Sequence, residues 1–464
     1  MSTTADDPQF KGQRLPLVAL FVAFLVSVIG TSMSALAVPW LVLTTTGSAG
    51  RTGLVLFVQI APYVTMLAVS GPFVDRIGAH RAVWAGNLFA GALVSVIPLM
   101  YAAGNLSLPA LAVLAGAAGV ARGVADTGVT VLVPGVARLG NVAVERVSGL
   151  NSAANQVGLL LGAPLGGVLL TFVAPAYVVL IDGVTFGIAA LLIGVFVPRS
   201  VQQPAEPAGL GQRPGRATED DQGGYLARLR VGFAFLLSDR LMLGLASMIA
   251  VTNLAESALS DVLMPTWVLD RGHLASALGV LAAGFGIGGL VGNLIGAWVG
   301  QRMRKWATYS IGFLLGGAPL FWVMAGFRSV VVVGVVALLS GLFSGAINPI
   351  LGGLWYRRVP HALLARVIGA IRASAWVGVP IGPLVGGVVA DRWGVTAALW
   401  AFGVLIFLAT LAPFVFRVFR QMDAATDTPV DTAVDTPGLP GDSVPAGWEP
   451  AGGDRPPTAR SDAQ

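Results

Sequence analysis

Arg146-Val147-Ser148-Gly149 is followed, twenty residues after its arginine, by Gly166-Gly167, and Arg366-Val367-Ile368-Gly369 is followed at the same distance by Gly386-Gly387. Each residue of the second set lies 220 positions after its counterpart, as 366 lies after 146. A weaker echo relates Val38-Pro39-Trp40-Leu41-Val42-Leu43 to Met264-Pro265-Thr266-Trp267-Val268-Leu269. Glycine-rich helices resemble one another by chance, but a register kept across connection and helix together favours an internal duplication. A duplicated helical bundle is one of the plans on which membrane transporters are built.

The composition around the repeat fits that plan. Of 464 residues, 55% are hydrophobic and 11% charged, and the mean hydropathy is +0.79. A soluble domain carries roughly 25% charged residues, so this chain cannot clothe a globular core and is expected to be an all-α integral membrane protein. Apolar stretches of about 20 residues mark membrane-crossing helices. Twelve are read here: 16–42, 53–73, 82–103, 108–133, 149–172, 176–197, 240–268, 275–300, 306–326, 329–355, 368–390 and 394–417. They form two six-helix repeats around an expected central cavity. The first is too long for a secretory leader and is expected to be retained.

Whole classes of chemistry are excluded. There is no cysteine, hence no disulfide, thiolate metal site or cysteine nucleophile. The three histidines, His80, His273 and His361, fall in short polar connections, and the two lysines, Lys11 and Lys305, follow no phosphate-binding glycine pattern. The chain is expected to be no enzyme and to need no cofactor or metal. Its pI near 10.0 does not signal nucleic acid, because the basic residues follow topology. Connections on the N-terminal side hold Arg76 and Arg81, Arg138 and Arg146, Arg302, Arg304 and Lys305, and Arg357 and Arg358; the opposite side holds Arg51, Arg271, Arg328 and Arg392. By the positive-inside bias both termini are cytoplasmic, in a plasma or inner membrane.

The domain plan is a cytoplasmic N-terminus at 1–15, a six-helix half at 16–197, a linker at 198–239, a second half at 240–417 and a tail at 418–464. The linker carries the acidic run Glu219, Asp220 and Asp221. Its end, Tyr225 to Asp239, groups Leu226, Leu229, Phe233, Leu236 and Leu237 on one helical face, as suits either an interfacial helix or a solvated loop. The tail, rich in proline and aspartate with repeats at Asp427, Asp431 and Asp435, is expected to be disordered.

The connection after the second span reads Gly71-Pro72-Phe73-Val74-Asp75-Arg76-Ile77-Gly78-Ala79-His80-Arg81, and Gly296-Ala297-Trp298-Val299-Gly300-Gln301-Arg302 stands at the end of the eighth, in the second half. The first resembles the G-x-x-x-D-R-x-G-x-x-R signature of the major facilitator superfamily, and the second its degraded copy. Within that superfamily the chain is similar to the macrolide-efflux and multidrug-exporter branch of drug:proton antiporters. The carrying residues are Ala37 to Leu43 with Thr46 to Gly50, Val133-Pro134, Asn151, Ile181-Asp182-Gly183, Asn348-Pro349 and Arg366 to Gly369. Gly158, Gly162, Pro164, Gly166 and Gly167 approach that branch's G-x-x-x-G-P-x-x-G-G pattern with the proline one place late, and Gly382, Pro383, Gly386 and Gly387 match its end. Small residues four apart let helices cross closely and proline lets one bend, so these glycines serve packing or a hinge equally well. The resemblance implies a gate in which Asp75 bonds a helix start in one conformation only; the same residues also suit a plain turn.

Charges inside a membrane are costly and commonly functional. The fourth span holds Arg122 and Asp126, one turn apart on one face, and the seventh holds Asn253, Glu256 and Asp261. The resemblance places both spans around the cavity. Asp126 already has a cationic neighbour in its own span and Glu256 has none, so Glu256 ranks first as proton carrier and Asp126 second. Gln59, Asn155 and Gln156 are candidate polar contacts. Asp182 reads as an interfacial anchor, and Trp40 and Trp267 as part of an aromatic belt. The first reading is a proton-coupled exporter of bulky amphipathic molecules, with a small-molecule substrate, protons and lipid as partners, working as a monomer. A symporter for a small polar metabolite and a non-transporting sensor are the alternatives.

Overall fold

The computed structural model describes residues 14–199, 225–299, 304–359 and 363–424. Twelve of its helices are long and apolar enough to cross a membrane: Arg14–Thr46, Ala49–Val69, Ala79–Ala102, Leu108–Leu139, Val144–Phe172, Pro175–Phe196, Arg240–Asp270, Ser276–Trp298, Lys305–Gly326, Val330–Leu351, Arg366–Trp393 and Val395–Val415. These are spans one to twelve. The face bearing Arg14 is called the near face, and the opposite one the far face. Residues 1–13, 200–224, 300–303, 360–362 and 425–464, which include Lys11, the acidic run, Gly300, Gln301, Arg302 and His361, lie outside the described residues.

Every expected span is present, several with longer ends. Span one continues to Thr46, past the point at which hydropathy alone would close it at 42; the hydroxyls of Thr44, Thr45 and Thr46 each donate a 2.7 Å hydrogen bond back to the carbonyls of Trp40, Leu41 and Val42, so these polar side chains are paired within the helix itself. Serines start three of the spans that enter from the far face. Ser48, Ser107 and Ser329 accept from the amides of Arg51, Ala110 and Val332, capping spans two, four and ten.

The two halves repeat in their contacts as well as their sequence. In the first half span one packs on five and six, span two on four, and span three on four and six; in the second, seven packs on eleven and twelve, eight on ten, and nine on ten and twelve. The halves meet along two seams, span two against eleven and span five against eight.

The glycines of the repeat build both kinds of contact. Gly158, Gly162 and Gly166 of span five lie against Val28, Ile29, Ser32 and Met33 of span one, so closely that a methyl group would overlap them; Gly378, Gly382 and Gly386 do the same to Ala250, Leu254, Ser257 and Ala258 of span seven. Small residues are what permit backbones to approach so closely in a bilayer. Gly167 and Gly387 face the other way, across the seams, to Ala275 and Gly279 and to Ala49 and Gly50. Despite the one-place displacement, Pro164 and Pro383 occupy equivalent seam positions, the first against Gly279 and the second against Gly53. All these seam contacts lie toward the far face, which holds the halves together there.

Span seven is not a uniform helix. Leu259–Leu263 form one turn of π-helix between Arg240–Ala258 and Met264–Asp270. Pro265 lies just beyond the π-turn and has no amide hydrogen to offer the Asp261 carbonyl inside it.

Four expectations are corrected. Trp267 is fully buried and donates a 2.6 Å hydrogen bond to the Met324 carbonyl, and Trp40 is buried too, so both belong to the core rather than an aromatic belt. His80 opens span three, buried, with its ring 3.2 Å from the Ile193 carbonyl, rather than lying in a polar connection. Ordered structure passes residue 417: Arg417–Arg420 and Gln421–Ala424 are helical, since Phe419 and Met422 find apolar cover and Asp423 accepts from the Trp306 amide. The fourth, Asp182, belongs to the site below. The linker end forms the helix Tyr225–Ser238, which sets Gly232 against the Arg366 carbonyl and buries Leu236 while Leu237 stays exposed.

Candidate substrate pathway and gates

Glycines again set the geometry. On span four, Gly116, Gly119 and Gly123 lie against the backbones of Val58, Gln59 and Tyr63 on span two. That close approach brings the Tyr63 hydroxyl to the Asp126 carboxylate, to which it donates a 2.9 Å hydrogen bond. Arg122, one turn earlier on span four, places Nε 3.6 Å from the same Asp126 oxygen. The guanidinium also lies over the Tyr63 ring at 5.3 Å and the Phe186 ring at 6.0 Å, within reach of cation–π attraction. About a third of the Arg122 and Asp126 side-chain surface remains accessible, at 30% and 33%, so the pair borders an open space instead of being sealed between helices. The expected intrahelical pairing of Arg122 with Asp126 is therefore present.

Two further groups extend this cluster, and neither is assigned to it by the sequence reading. Tyr63 follows Gln59 by four residues and so shares its helical face, which is the one signal that points to it. Asp182 is the correction: it is buried inside span six, where Thr31 of span one donates a 3.3 Å hydrogen bond to its carboxylate, and it lies within electrostatic reach of Arg122. An acid seven residues in from the far end of its helix reads as interfacial by counting. The packing of span six on spans one and three sets it within the bundle.

The second half holds the opposite arrangement. Asn253 is tied to span eleven by donating a 2.9 Å bond to the Ala375 carbonyl. Asp261 accepts from the neighbouring Ser260 at 3.1 Å within the π-turn. Glu256, partly accessible, has no hydrogen bond or ion pair with any described residue. Its depth matches that of the first-half cluster: Thr31, Tyr63, Arg122 and Glu256 each lie fourteen or fifteen residues from the far end of their spans, roughly 21 Å along a helix. Gln59 has a buried side-chain oxygen without a partner among the described residues.

The near-face signature forms its own short element. Gly71–Ile77 is a helix ending at Gly78, whose left-handed φ of 89° turns the chain into span three. Asp75, Arg76 and Arg81 are exposed, and Asp75 makes no hydrogen bond or ion pair with any described residue. A side chain at Gly71 would meet open space, as would one at Gly149 or Gly369 on the near-face starts of spans five and eleven. Among the described residues, the seams thus close toward the far face and splay toward the near one.

A sequence profile of the Major Facilitator Superfamily matches residues 20–274 and 247–455. The chain belongs to that superfamily. It is a multi-pass membrane transporter and not an enzyme. Among its relatives are the multidrug efflux pump Tap of Mycobacterium tuberculosis, 26% identical over 428 residues that cover 91% of this chain and 98% of the pump, and the enterobactin exporter EntS of Citrobacter koseri, 26% identical with 88% and 94% covered. A similar solved structure is that of a point mutant of the nucleoside transporter NupG, with a TM-score of 0.68 at 14% identity over 86% of this chain and 99% of that one. Another, a bacterial homologue of the human lysosomal transporter Spinster described as inward-facing and unoccupied, has a TM-score of 0.63 at 12% identity over 91% and 98%. At those identities the two structures speak for the fold alone.

Proposed function

We propose that the chain is a proton-coupled exporter of bulky amphipathic compounds that works by alternating access, with the near face cytoplasmic. The observation that carries this reading is the contrast at mid-membrane depth between Asp126, held by Tyr63 and Arg122, and Glu256, which no described residue holds. A carboxyl group inside a bilayer exchanges its proton only when the helices around it open it to water. An unheld one is therefore suited to couple proton movement to the opening of one face or the other. The excess of arginine on the near-face connections supports the orientation, and with it the splayed side of this structure faces the cytoplasm. Export of drug-like molecules draws support from the Tap and EntS relatives. The apolar and aromatic content of the spans supports recognition by buried area, with the carboxylates favouring cations.

Asp75 belongs to the same cycle as the near-face gate, released in the state described here and engaged when that face closes. Glu256→Gln tests the coupling. In vesicles with an imposed pH gradient, the variant is expected to insert and fold normally yet lose gradient-driven efflux to the level of empty vesicles. Undiminished efflux would remove Glu256 from the mechanism.

A further inference from the structure

The signature after span two has a second copy in an unexpected place. Gly387-Val388-Val389-Ala390-Asp391-Arg392-Trp393-Gly394 ends span eleven and repeats the G-x-x-x-D-R-x-G spacing of Gly71 to Gly78, but on the far face. The backbone repeats as well. Gly394 has φ 83° and ψ 156° against 89° and 137° at Gly78. The Gly394 amide donates to the Ala390 carbonyl at 2.9 Å as Gly78 does to Val74, and the amides of Ala398 and Ala82 donate to the two glycine carbonyls at 3.1 and 3.0 Å. Such a left-handed turn suits glycine at both sites.

In this structure the far-face copy is engaged. Asp391 accepts a 2.5 Å hydrogen bond from the Ser48 hydroxyl and a 2.7 Å bond from the Ala49 amide, across the seam between the halves. Ala49 opens span two, so a carboxylate from one half sits on the positive end of a helix in the other. Gly50 leaves room for it: a methyl group there would stand 2.7 Å from the Asp391 carboxylate. At the other end of the same two helices Asp75 is exposed and has no hydrogen bond or ion pair with any described residue.

We propose that Asp391 is the far-face latch of this transporter, the counterpart of Asp75 at the opposite end of the seam between spans two and eleven, so that one carboxylate engages as the other lets go. Each end of this pair of helices carries a start that accepts an acid and a terminus that supplies one. The latch holds the far-closed state whatever compound is carried, and its test needs no substrate.

The absence of native cysteine allows two spin labels to be placed alone, at Asn105 and Arg328, exposed far-face positions in the two halves. Pulsed dipolar spectroscopy of the full chain in lipid nanodiscs then reads the far-face opening. Asp391→Asn is expected to raise the ratio of long to short distances about tenfold, since one charge-assisted contact in an exposed setting is lost. Gly50→Ala keeps every charge but pushes the carboxylate aside, and is expected to shift the ratio in the same direction by a smaller factor. It also reads the contact should Asp391→Asn fail to insert. Asp75→Asn is expected to lower the ratio. Distance distributions unchanged in both far-face variants, or a shift toward shorter distances, would overturn the proposal.

Discussion

The two seams between the halves are built alike in shape and unlike in charge. Gly387 meets Ala49 and Gly53 meets Pro383 at one; Gly167 meets Ala275 and Gly279 meets Pro164 at the other. Backbone lies on backbone in both. But where the first seam has Ser48 and Asp391, the second has Leu274, largely exposed, and Thr171, whose hydroxyl turns back to the Gly167 carbonyl of its own helix. The near-face ends differ in sequence in the same way: span two is followed by Asp75, whereas span eight is followed by Gly300 and Gln301, neither of which is charged. Close packing is therefore a property of the duplicated fold. On the proposal above, electrostatic switching belongs to the seam between spans two and eleven, and among the described residues the far-face end of the other seam has only shape with which to follow.

If that division is right, bulk should harm both seams equally. Gly387→Val and Gly167→Val each press a side chain against a facing backbone, and overpacking of this kind costs about 1 to 3 kcal/mol. Both variants are expected to lose the far-closed state and to transport tenfold to a hundredfold more slowly, measured as dye efflux in matched vesicles. A large loss in one and none in the other would show that the seams do not share the load.

Charge, in contrast, should matter at one seam only. Asp75→Asn is expected to slow transport several-fold to tenfold while leaving binding affinity for a transported dye unchanged, because Asp75 lies after span two and away from the mid-membrane cluster. Lost binding with an unaltered distance between near-face labels would give Asp75 a different role. The smallest effect expected is a gain: Thr171→Asp with Leu274→Ser transplants the far-face contact to the uncharged seam. It should lengthen the far-closed dwell time about threefold, given the modest worth of exposed charged contacts, as read by single-molecule fluorescence between far-face labels. An unchanged dwell time would mean that the helix start at Ser276 is not presented as that at Ala49 is.

Much of this organisation is legible in the chain itself. Gly158, Gly162, Gly166 and Gly167 answer Gly378, Gly382, Gly386 and Gly387 at a constant 220 residues, and since glycine allows closeness, the stripe reports which face is crossed. Arg122 and Asp126 are legible because four residues make one helical turn. Which helix lies across a given face is another matter. Nothing in span six announces that Thr31 will reach Asp182, and Tyr63 looks like one more apolar residue until Gly123 draws span two toward Asp126. Trp267 shows the reverse error: a tryptophan near a helix end suits a membrane interface equally well, and the Met324 carbonyl decides otherwise.

The π-turn in span seven also dates the two halves against each other. Before it, the residues touched by the glycine stripes are 225 positions apart, Ile29 against Leu254 and Met33 against Ala258; after it the touched residues Ala49 and Ala275 are 226 apart, as are the prolines Pro39 and Pro265 in sequence. Span one runs through the matching region as unbroken α-helix. The second copy thus carries one additional residue, and a π-turn is the form in which a helix accommodates one. In an ordinary α-helix that residue would have swung everything beyond it by about 100°, parting Trp267 from Met324 or Leu254 from Gly382. The wide turn holds the change in place, a scar of ancestry left in the middle of the membrane a few residues beyond Glu256.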